Sequence, residues 1–425
     1  MDESIVGISG YLTTSPGLRG RIKAKAEDFV VEEIPADIPR STEGRYTVAK
    51  LRTRNWETNR LVREIARRLR ISRKRISFAG TKDRRAVTTQ LLQFDAPVDL
   101  VESLRLKDVE LLETFRTDRE LEIGDLLGNR FAVVVRDIPL ASVDIEPRAE
   151  AIARELRVLG GFPNFFGMQR FGSVRSITHV VGRHIVRGEF REAVHAYVAN
   201  PIEGEDPESF AVRTGLEATG DYTAALRAYP NEWGFEKAIL NHLAKRPDDY
   251  IGGLQVLPHN LLMMFVHGYQ SYMFNRILSE RMRQGLPLHE PVEGDVVLAA
   301  RTDGRPDRER QIPVDIANLE RVAAQCRAGK AFVSGLLFGS ETEFAAGRPG
   351  AIEKQIVAEE DLRPEDFVIP AMPRLSSRGT RRTFLAAVRS LAWEPGEGTL
   401  TLRFALTPGC YGTSLLREFL KLPLA

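Results

Sequence analysis

The chain has 425 residues, of which 43% are hydrophobic, 28% charged and 8% aromatic. This composition is typical of globular proteins and excludes a disordered chain, and the length predicts two or three domains. The longest apolar stretch, residues 261–278, is interrupted by polar side chains and is not expected to cross a membrane. The first residues lack a secretion signal and the only cysteines, Cys326 and Cys410, are far apart, which predicts a cytoplasmic protein.

The charges are unevenly distributed, although the formal net charge is only +2. Residues 45–90 contain 15 lysines and arginines against three acids, so this segment carries +12 and the remainder about −10. A local excess of positive charge favours binding to a polyanion such as the phosphates of a nucleic acid. A solvated helix face with chance clustering is the alternative, but such faces usually mix both signs.

The first part of the chain reads as strands with two helices. A helix is predicted to begin at Thr58, because the apolar residues that follow it recur at helical spacing. A second helix is expected over residues 148–159, where Gly160 and Gly161 end it. Strands are predicted, in chain order, over residues 20–34, 45–51, 76–79, 88–94 and 131–135.

The rest of the chain changes from helical to mixed patterns. Helical spacing dominates residues 177–286, and strands and helices are mixed over residues 291–370. Residues 399–406 alternate apolar and polar side chains, which predicts a half-buried strand paired with residues 383–393, and residues 413–420 form a closing helix. One mixed domain built from both chain ends, with a second domain inserted between them, follows from this order.

Three common enzyme signals are absent from the sequence. There is no glycine-rich loop for a nucleoside triphosphate and no dinucleotide-binding glycine motif. His179 and His184 are five residues apart, which is not the spacing of two metal ligands on one helix face. We therefore expect no nucleotide cofactor and no metal.

Four short segments carry side chains suited to chemistry or recognition. In residues 78–90 the carboxylate of Asp83 is surrounded by three cations, which favour its ionised form, although a solvated loop is the simpler interpretation. Residues 164–172 combine phenylalanines, amides and glycines, which suits stacking on a base or, alternatively, a turn that fills the core. Residues 128–131 place an amide near a ring, as a hairpin turn also would, and residues 407–413 form a strand-to-helix turn with one aromatic ring.

The segment around Asp83 and a segment upstream of it resemble motifs of the tRNA pseudouridine synthase D family. Residues 80–86 are similar to the family signature Gly-Thr-Lys-Asp-Arg-Arg-Ala, whose catalytic aspartate falls on Asp83. Residues 23–29 resemble Lys-x-x-Pro-Glu-Asp-Phe, with Ala26 in place of proline, so the resemblance places an active-site lysine at Lys23 and an aromatic residue at Phe29.

Three further motifs extend the resemblance to both ends of the chain. Residues 128–131 look like Gly-Asn-x-Phe, residues 163–167 like Pro-Asn-Tyr-Phe-Gly, and residues 409–413 like Gly-x-Phe-Ala-Thr. The resemblance implies a catalytic role for Asp83 and Lys23. It also implies a set of substrate-binding residues: Phe29, Lys82, Arg84, Asn129, Phe131, Asn164, Phe166 and Tyr411. The basic segment is then expected to contact RNA phosphates through Arg67, Arg70, Arg73, Lys74 and Arg75.

The resemblance implies an α+β pseudouridine synthase domain with a largely antiparallel sheet, formed by residues 1–172 and 376–425. Residues 173–375 are expected to form an inserted α/β domain. The implied activity is the isomerisation of a uridine in tRNA, at position 13 by family analogy, without cofactor or metal. The alternatives are the same reaction at another RNA site and a noncatalytic RNA-binding or RNA-folding protein, and the oligomeric state stays open.

Overall fold

The computed structural model describes residues 2–82, 84–172 and 174–422. The chain forms two compact units, which we call the sheet unit, Tyr11–Phe162 with residues 386–422, and the inserted unit, Pro163–Leu385 with residues 2–10. The chain therefore leaves the sheet unit ten residues before the predicted point at residue 172 and returns ten residues after the predicted point at residue 375.

The sheet unit contains the first strands and helices. The elements are β1 (Phe29–Pro35), β2 (Tyr46–Arg54), α1 (Thr58–Leu69), β3 (Ile76–Phe78), β4 (Val87–Phe94), α2 (Val98–Glu102), β5 (Val109–Thr117), β6 (Leu126–Val135) and α3 (Ser142–Val158), with the short strand β7 (Phe162–Pro163) after them.

The helix that begins at Thr58 is confirmed. The first strand begins at Phe29 and not at residue 20, because residues 26–28 form a 3-10 turn. The second helix begins at Ser142 and not at residue 148, and it contains Pro147 in its second turn.

The inserted unit is mainly helical in its first half. Its elements are α4 (Thr178–Val186), α5 (Phe190–Val198), α6 (Pro207–Thr219), α7 (Tyr222–Ala228), α8 (Gly234–Lys245), α9 (Tyr250–Gln255), α10 (His259–Arg283), β8 (Val296–Ala300), β9 (Pro306–Pro313), α11 (Leu319–Arg327), β10 (Ala331–Leu337), α12 (Gly347–Glu359) and β11 (Thr380–Thr383). The helical pattern over residues 177–286 is confirmed. The four strands form an antiparallel sheet in the order β11, β10, β8, β9.

The apolar stretch of residues 261–278 lies within α10, whose side chains are largely buried. None of the helices in the described part of the chain is long and apolar enough to span a membrane.

The last elements return to the sheet unit. They are β12 (Leu385–Ala386), β13 (Arg389–Gly396), β14 (Thr399–Leu406) and α13 (Gly412–Leu420). The predicted hairpin is confirmed, since β13 and β14 pair antiparallel. However, its first strand starts at Arg389, and residues 380–383 pair instead with β10. The buried Arg381 of this strand also binds Glu353 of α12, so the strand belongs with the inserted unit.

The sheet of the sheet unit has the strand order β13, β14, β6, β1, β4, β2, β5, with β3 beside β4. All neighbouring strands are antiparallel except β1 and β4, which confirms the prediction of a largely antiparallel sheet. One apolar cluster joins α3 and α13 to β1, β6 and β14, and another joins α1 and α2 to β2 and β4. The strand registers place both clusters on one face of the sheet. Between them this face carries polar residues, and these surround the candidate site.

Candidate active site

The face of β1 and β6 beside the first apolar cluster carries three of the predicted site residues, Phe29, Asn129 and Phe131. Phe29 and Glu33 are four positions apart on β1, so their side chains project to the same side of the strand. Phe131 is the register partner of Val31, and Asn129 is the register partner of Glu33. Two of the predicted substrate-binding residues thus share a face with Phe29 because of strand register.

Aromatic contacts connect Lys23 to this face. The Lys23 ammonium lies 4.2 Å from the centroid of the Phe29 ring. Phe29 contacts Phe131 edge to face at 6.1 Å, and Phe131 stacks on Phe404 at 5.0 Å. Lys23 has a φ of 56°, a left-handed conformation that costs a residue other than glycine about 1 kcal/mol. The fold therefore places the Lys23 ammonium against an aromatic wall despite local strain.

The turn between Lys23 and Phe29 is held by a buried carboxylate. Asp28 accepts a hydrogen bond from the backbone N–H of Lys25 at 2.9 Å and a bidentate pair from the Arg136 guanidinium at 2.7 and 2.9 Å. The hydrogen bonds from Arg136 lower the pKa of Asp28 below its usual value. These contacts explain why the Lys23 motif needs an aspartate immediately before Phe29.

Asn129 combines a close backbone contact with an unused acceptor. The preceding residue must be glycine, because a Cβ at Gly128 would lie 2.2 Å from the carbonyl oxygen of Leu406. The Asn129 Oδ1 atom is enclosed, and no donor within residues 2–82, 84–172 and 174–422 bonds to it. Buried polar atoms without a partner are rare and call for an explanation, since each costs about 1–3 kcal/mol.

The turn that carries Tyr411 adjoins the same aromatic wall. Tyr411 is half-buried and immediately precedes α13. Gly412 lies against Phe131, since a Cβ there would be 3.2 Å from that ring. The contact brings the C-terminal motif of the sequence to the motif of β6 within the sheet unit.

The segment that carries Asp83 is described only on either side of that residue, and Asp83 itself lies outside the described residues. The Lys82 ammonium lies 2.6 Å from Glu33 Oε2, and both side chains are buried. Arg84 is exposed. The enclosure of Lys82 favours a role in shaping this segment over direct contact with RNA, whereas Arg84 is accessible to a phosphate.

Asn164 and Phe166 lie in the inserted unit, and the contacts described below join them to other residues of that unit. The Asn164 amide donates to the carbonyl and hydroxyl oxygens of Thr383 at 3.0 and 3.1 Å and accepts from Arg382 at 2.5 Å. The Arg382 guanidinium lies 4.1 Å from the Phe166 ring, and the Phe166 backbone bonds to the side chain of Asn275. These contacts favour the core-filling turn that the sequence left as the alternative.

The basic segment forms an exposed surface on α1 and the turn after it. Arg67, Arg70, Arg73, Lys74 and Arg75 are all exposed. Glu64 is the acid of this surface, and hydrogen bonds from Arg67 and Arg68 lower its pKa to about 2. Arg67 is therefore partly neutralised, whereas Lys74 and Arg70 have no ion-pair partner among the described residues.

Sequence reasoning missed three buried polar residues around Lys82, namely Glu33, Thr58 and Gln90. A signal was available for Glu33, because an acid at the inward parity of a strand, after Phe29 and Val31, needs a buried partner. Thr58 was read only as a helix start. No three metal-ligand side chains converge anywhere in the part of the chain that the structure describes.

Comparisons with known proteins show which proteins this chain is similar to. The sequence profile of the family described as tRNA pseudouridine synthase D (TruD) matches residues 5–419. A relative from Methanococcoides burtonii, named "Probable tRNA pseudouridine synthase D", is 41% identical over 99% of this chain and 97% of its own. A relative of the same name from Halobacterium salinarum is 40% identical over 99% of this chain and 97% of its own.

A solved structure extends the similarity to three dimensions. The crystal structure of the homologue from Methanosarcina mazei that carries the same family name superposes with a TM-score of 0.84 at 40% identity. The match covers 99% of this chain and 98% of that one. The chain therefore belongs to the tRNA pseudouridine synthase D family of RNA-modifying isomerases.

Proposed function

We propose that this protein converts a uridine of tRNA to pseudouridine with Asp83 as the reacting carboxylate and Lys23 as its cationic partner. The observation that carries the proposal is the cluster in which Lys23, Phe29 and Phe131 meet beside Asn129, whose Oδ1 atom has no partner among the described residues. By family analogy the target is position 13 of tRNA, and the protein acts in the cytoplasm.

The reaction needs few groups from the protein. The glycosidic bond from ribose C1′ to N1 of uracil breaks, a new bond forms from C1′ to C5, and the proton lost from C5 is balanced by one gained at N1. No oxidant is consumed and no atom of the RNA is lost. An ionised aspartate can act as the nucleophile or remove a ribose proton, and a nearby ammonium stabilises its charge.

The side chains of the sheet face suit a base that has left its stack. Phe131 and Tyr411 offer aromatic surfaces, on which an extruded base is commonly held. Asn129 offers an acceptor and two donors, and the N3–H and carbonyl groups of uracil complement them. Binding of uracil N3–H to Asn129 Oδ1 would explain why this enclosed oxygen has no partner in the described part of the protein.

The exposed basic surface suits the phosphates around the target nucleotide. Arg70, Arg73, Lys74 and Arg75 follow one another at the end of α1 and in the turn after it, and Arg84 follows the candidate catalytic position. Such contacts fix the register of the RNA without reading its sequence. For Lys82, Asn164 and Phe166 we propose roles in shaping the site, because their contacts are buried or internal.

Asp83→Asn tests the central assignment. The substitution removes the reacting charge and keeps the shape, so turnover is expected to vanish while tRNA affinity stays within a few-fold. Carbodiimide labelling of tRNA after incubation measures the mass-neutral product, and filter binding measures affinity. Product formation by freshly purified variant, free of deamidation, contradicts the role of Asp83.

Mapping the labelled position tests the substrate assignment separately. Pseudouridine at another tRNA site, or in another RNA, would favour the same isomerisation on a different substrate. Absence of any pseudouridine with the unsubstituted protein would contradict the proposed function as a whole.

A further inference from the structure

Lys82, which immediately precedes Asp83 in the sequence, forms a buried ion pair with Glu33. The Lys82 ammonium is 2.6 Å from Glu33 Oε2, and the two side chains are only 4% and 2% exposed. Burying two charges costs desolvation that their attraction offsets only with good geometry, so such a pair is a poor source of stability. The presence of this ion pair is better explained by the part of the chain that it holds in place.

A second contact fixes the backbone at the same residue. The N–H group of Lys82 donates to Thr58 Oγ1 at 2.8 Å, and the Thr58 hydroxyl donates to Gln90 Oε1 at 3.3 Å. Thr58 and Gln90 are 1% and 2% exposed. Lys82 is therefore attached by its main chain to the start of α1 and, through one hydroxyl, to the middle of β4.

Glu33 completes the attachment to the central strands. Its Oε1 atom accepts a hydrogen bond from the backbone N–H of Leu91 on β4 at 3.4 Å, while its Oε2 atom binds Lys82. Glu33 is also the register partner of Asn129 on β6. The same carboxylate thus relates the segment before Asp83 to the strand that carries the candidate base-binding amide.

We propose that Glu33, Lys82 and Thr58 are positioning residues that fix the chain immediately before Asp83 relative to Asn129. This inference rests on the proposed function, in which Asp83 is the reacting group. None of the three needs to touch the substrate. Their effect follows from distance, because a displacement of about 1 Å at a reacting group can cost on the order of 100-fold in rate.

Thr58→Val tests the main-chain anchor, since it keeps the branched shape and removes the hydroxyl. We expect the single-turnover rate at saturating tRNA to fall about tenfold to 100-fold, with tRNA affinity within about twofold. Thr58→Ser restores the hydroxyl and is expected to recover most of the rate.

Thr47→Val is the matched control. Thr47 lies on β2, is 0% exposed and donates its hydroxyl to the Ala96 carbonyl at 2.7 Å. Both valine variants lose one buried hydroxyl, so a purely structural effect lowers the melting temperature and the rate of both alike. We expect the rate loss only in Thr58→Val. A Thr58→Val rate equal to that of the unsubstituted protein, or equal losses in the two variants, overturns the inference.

The double variant Glu33→Gln with Lys82→Met keeps the inference testable if Thr58→Val does not fold. It neutralises both members of the pair, so no buried charge is left unpaired. We expect the double variant to bind tRNA but to react at least tenfold more slowly in a single turnover, as a small displacement of the reacting group would cause. An undiminished rate overturns the inference. An unsubstituted protein that makes no pseudouridine overturns the proposed function as well, whereas an active protein leaves these variants to decide on positioning alone.

Discussion

The amides of Asn129 and Asn164 occur in two motifs of similar kind but have opposite surroundings. The Asn164 side chain is satisfied on both of its atoms, by Thr383 and by the Arg382 guanidinium. The Asn129 Oδ1 atom is enclosed without any donor from the described residues. A satisfied buried amide stabilises its surroundings, whereas an unsatisfied one costs stability and is typical of a group kept for a ligand. The difference distinguishes a packing residue from a candidate binding residue.

Asn164→Ala is expected to have the largest effect, and on stability. It leaves the Arg382 guanidinium without its amide acceptor and Thr383 without its donor, which should lower the free energy of unfolding by about 3 kcal/mol. Urea unfolding followed by circular dichroism measures this change. At low temperature the folded fraction should turn over within a few-fold of the normal rate. A stable variant with a severe rate loss would move Asn164 back among the substrate-binding residues.

Asn129→Ala is expected to act on the reaction instead. Loss of the amide should slow single turnover by about 2 kcal/mol, roughly 30-fold, because the uracil edge loses its partner. The free energy of unfolding should be unchanged or slightly higher, since an unpaired buried acceptor is removed. The single-turnover rate and the free energy of unfolding, both measured on Asn129→Ala and on the unsubstituted protein, test this expectation. Destabilisation comparable to that of Asn164→Ala, with a normal rate, would remove the contrast between the two amides.

Asp28→Asn is expected to have the smallest effect of the three variants. It tests a buried polar residue of the sheet unit whose side chain, unlike that of Asn129, has partners. Asp28 is satisfied by Arg136 and Lys25, so the variant should lower the free energy of unfolding at pH 7 by about 1.5 kcal/mol and the rate by less than about tenfold. The hydrogen bonds from Arg136 lower the pKa of folded Asp28 below its usual 3.8. The stabilisation is therefore complete above that value and is lost as pH falls through the lower folded pKa.

Unfolding of the Asp28→Asn variant and the unsubstituted protein at pH 7 and pH 3 checks this sign. The difference between them should be smaller at pH 3, because the Asp28 carboxyl of the unfolded chain, with its usual pKa of 3.8, is then largely protonated while the pKa of the folded carboxyl is lower, so unfolding takes up a proton. A difference that grows as the pH falls would show that Asp28 does not gain its stability from the charged contact with Arg136.

Much of the fold was predictable because it depends on local pattern. The apolar spacing after Thr58 predicted α1, and the alternation over residues 399–406 predicted β14. The boundaries were less predictable. Residues 383–393 read as the first strand of the last hairpin, but Thr383 pairs with Ser334 of β10 in the other sheet, where the neighbouring Arg381 binds Glu353. Such a long-range ion pair leaves no periodic signal in the sequence.

The motifs are visible in the sequence alone, and they indicate the family and the candidate residues Lys23, Asp83, Asn129 and Tyr411. The sequence also determined the basic surface of α1, because a helix with one apolar face must expose its arginines on the other. The hydrogen-bond partners of the motif residues, in contrast, depend on how the chain folds in three dimensions. Burial and hydrogen-bond partners arise from strand register and from contacts between segments far apart in the chain. For this reason the motifs predict substrate binding for Lys82, Asn164 and Asn129 alike. The structure gives buried partners to Lys82 and Asn164 but no partner among the described residues to Asn129 Oδ1.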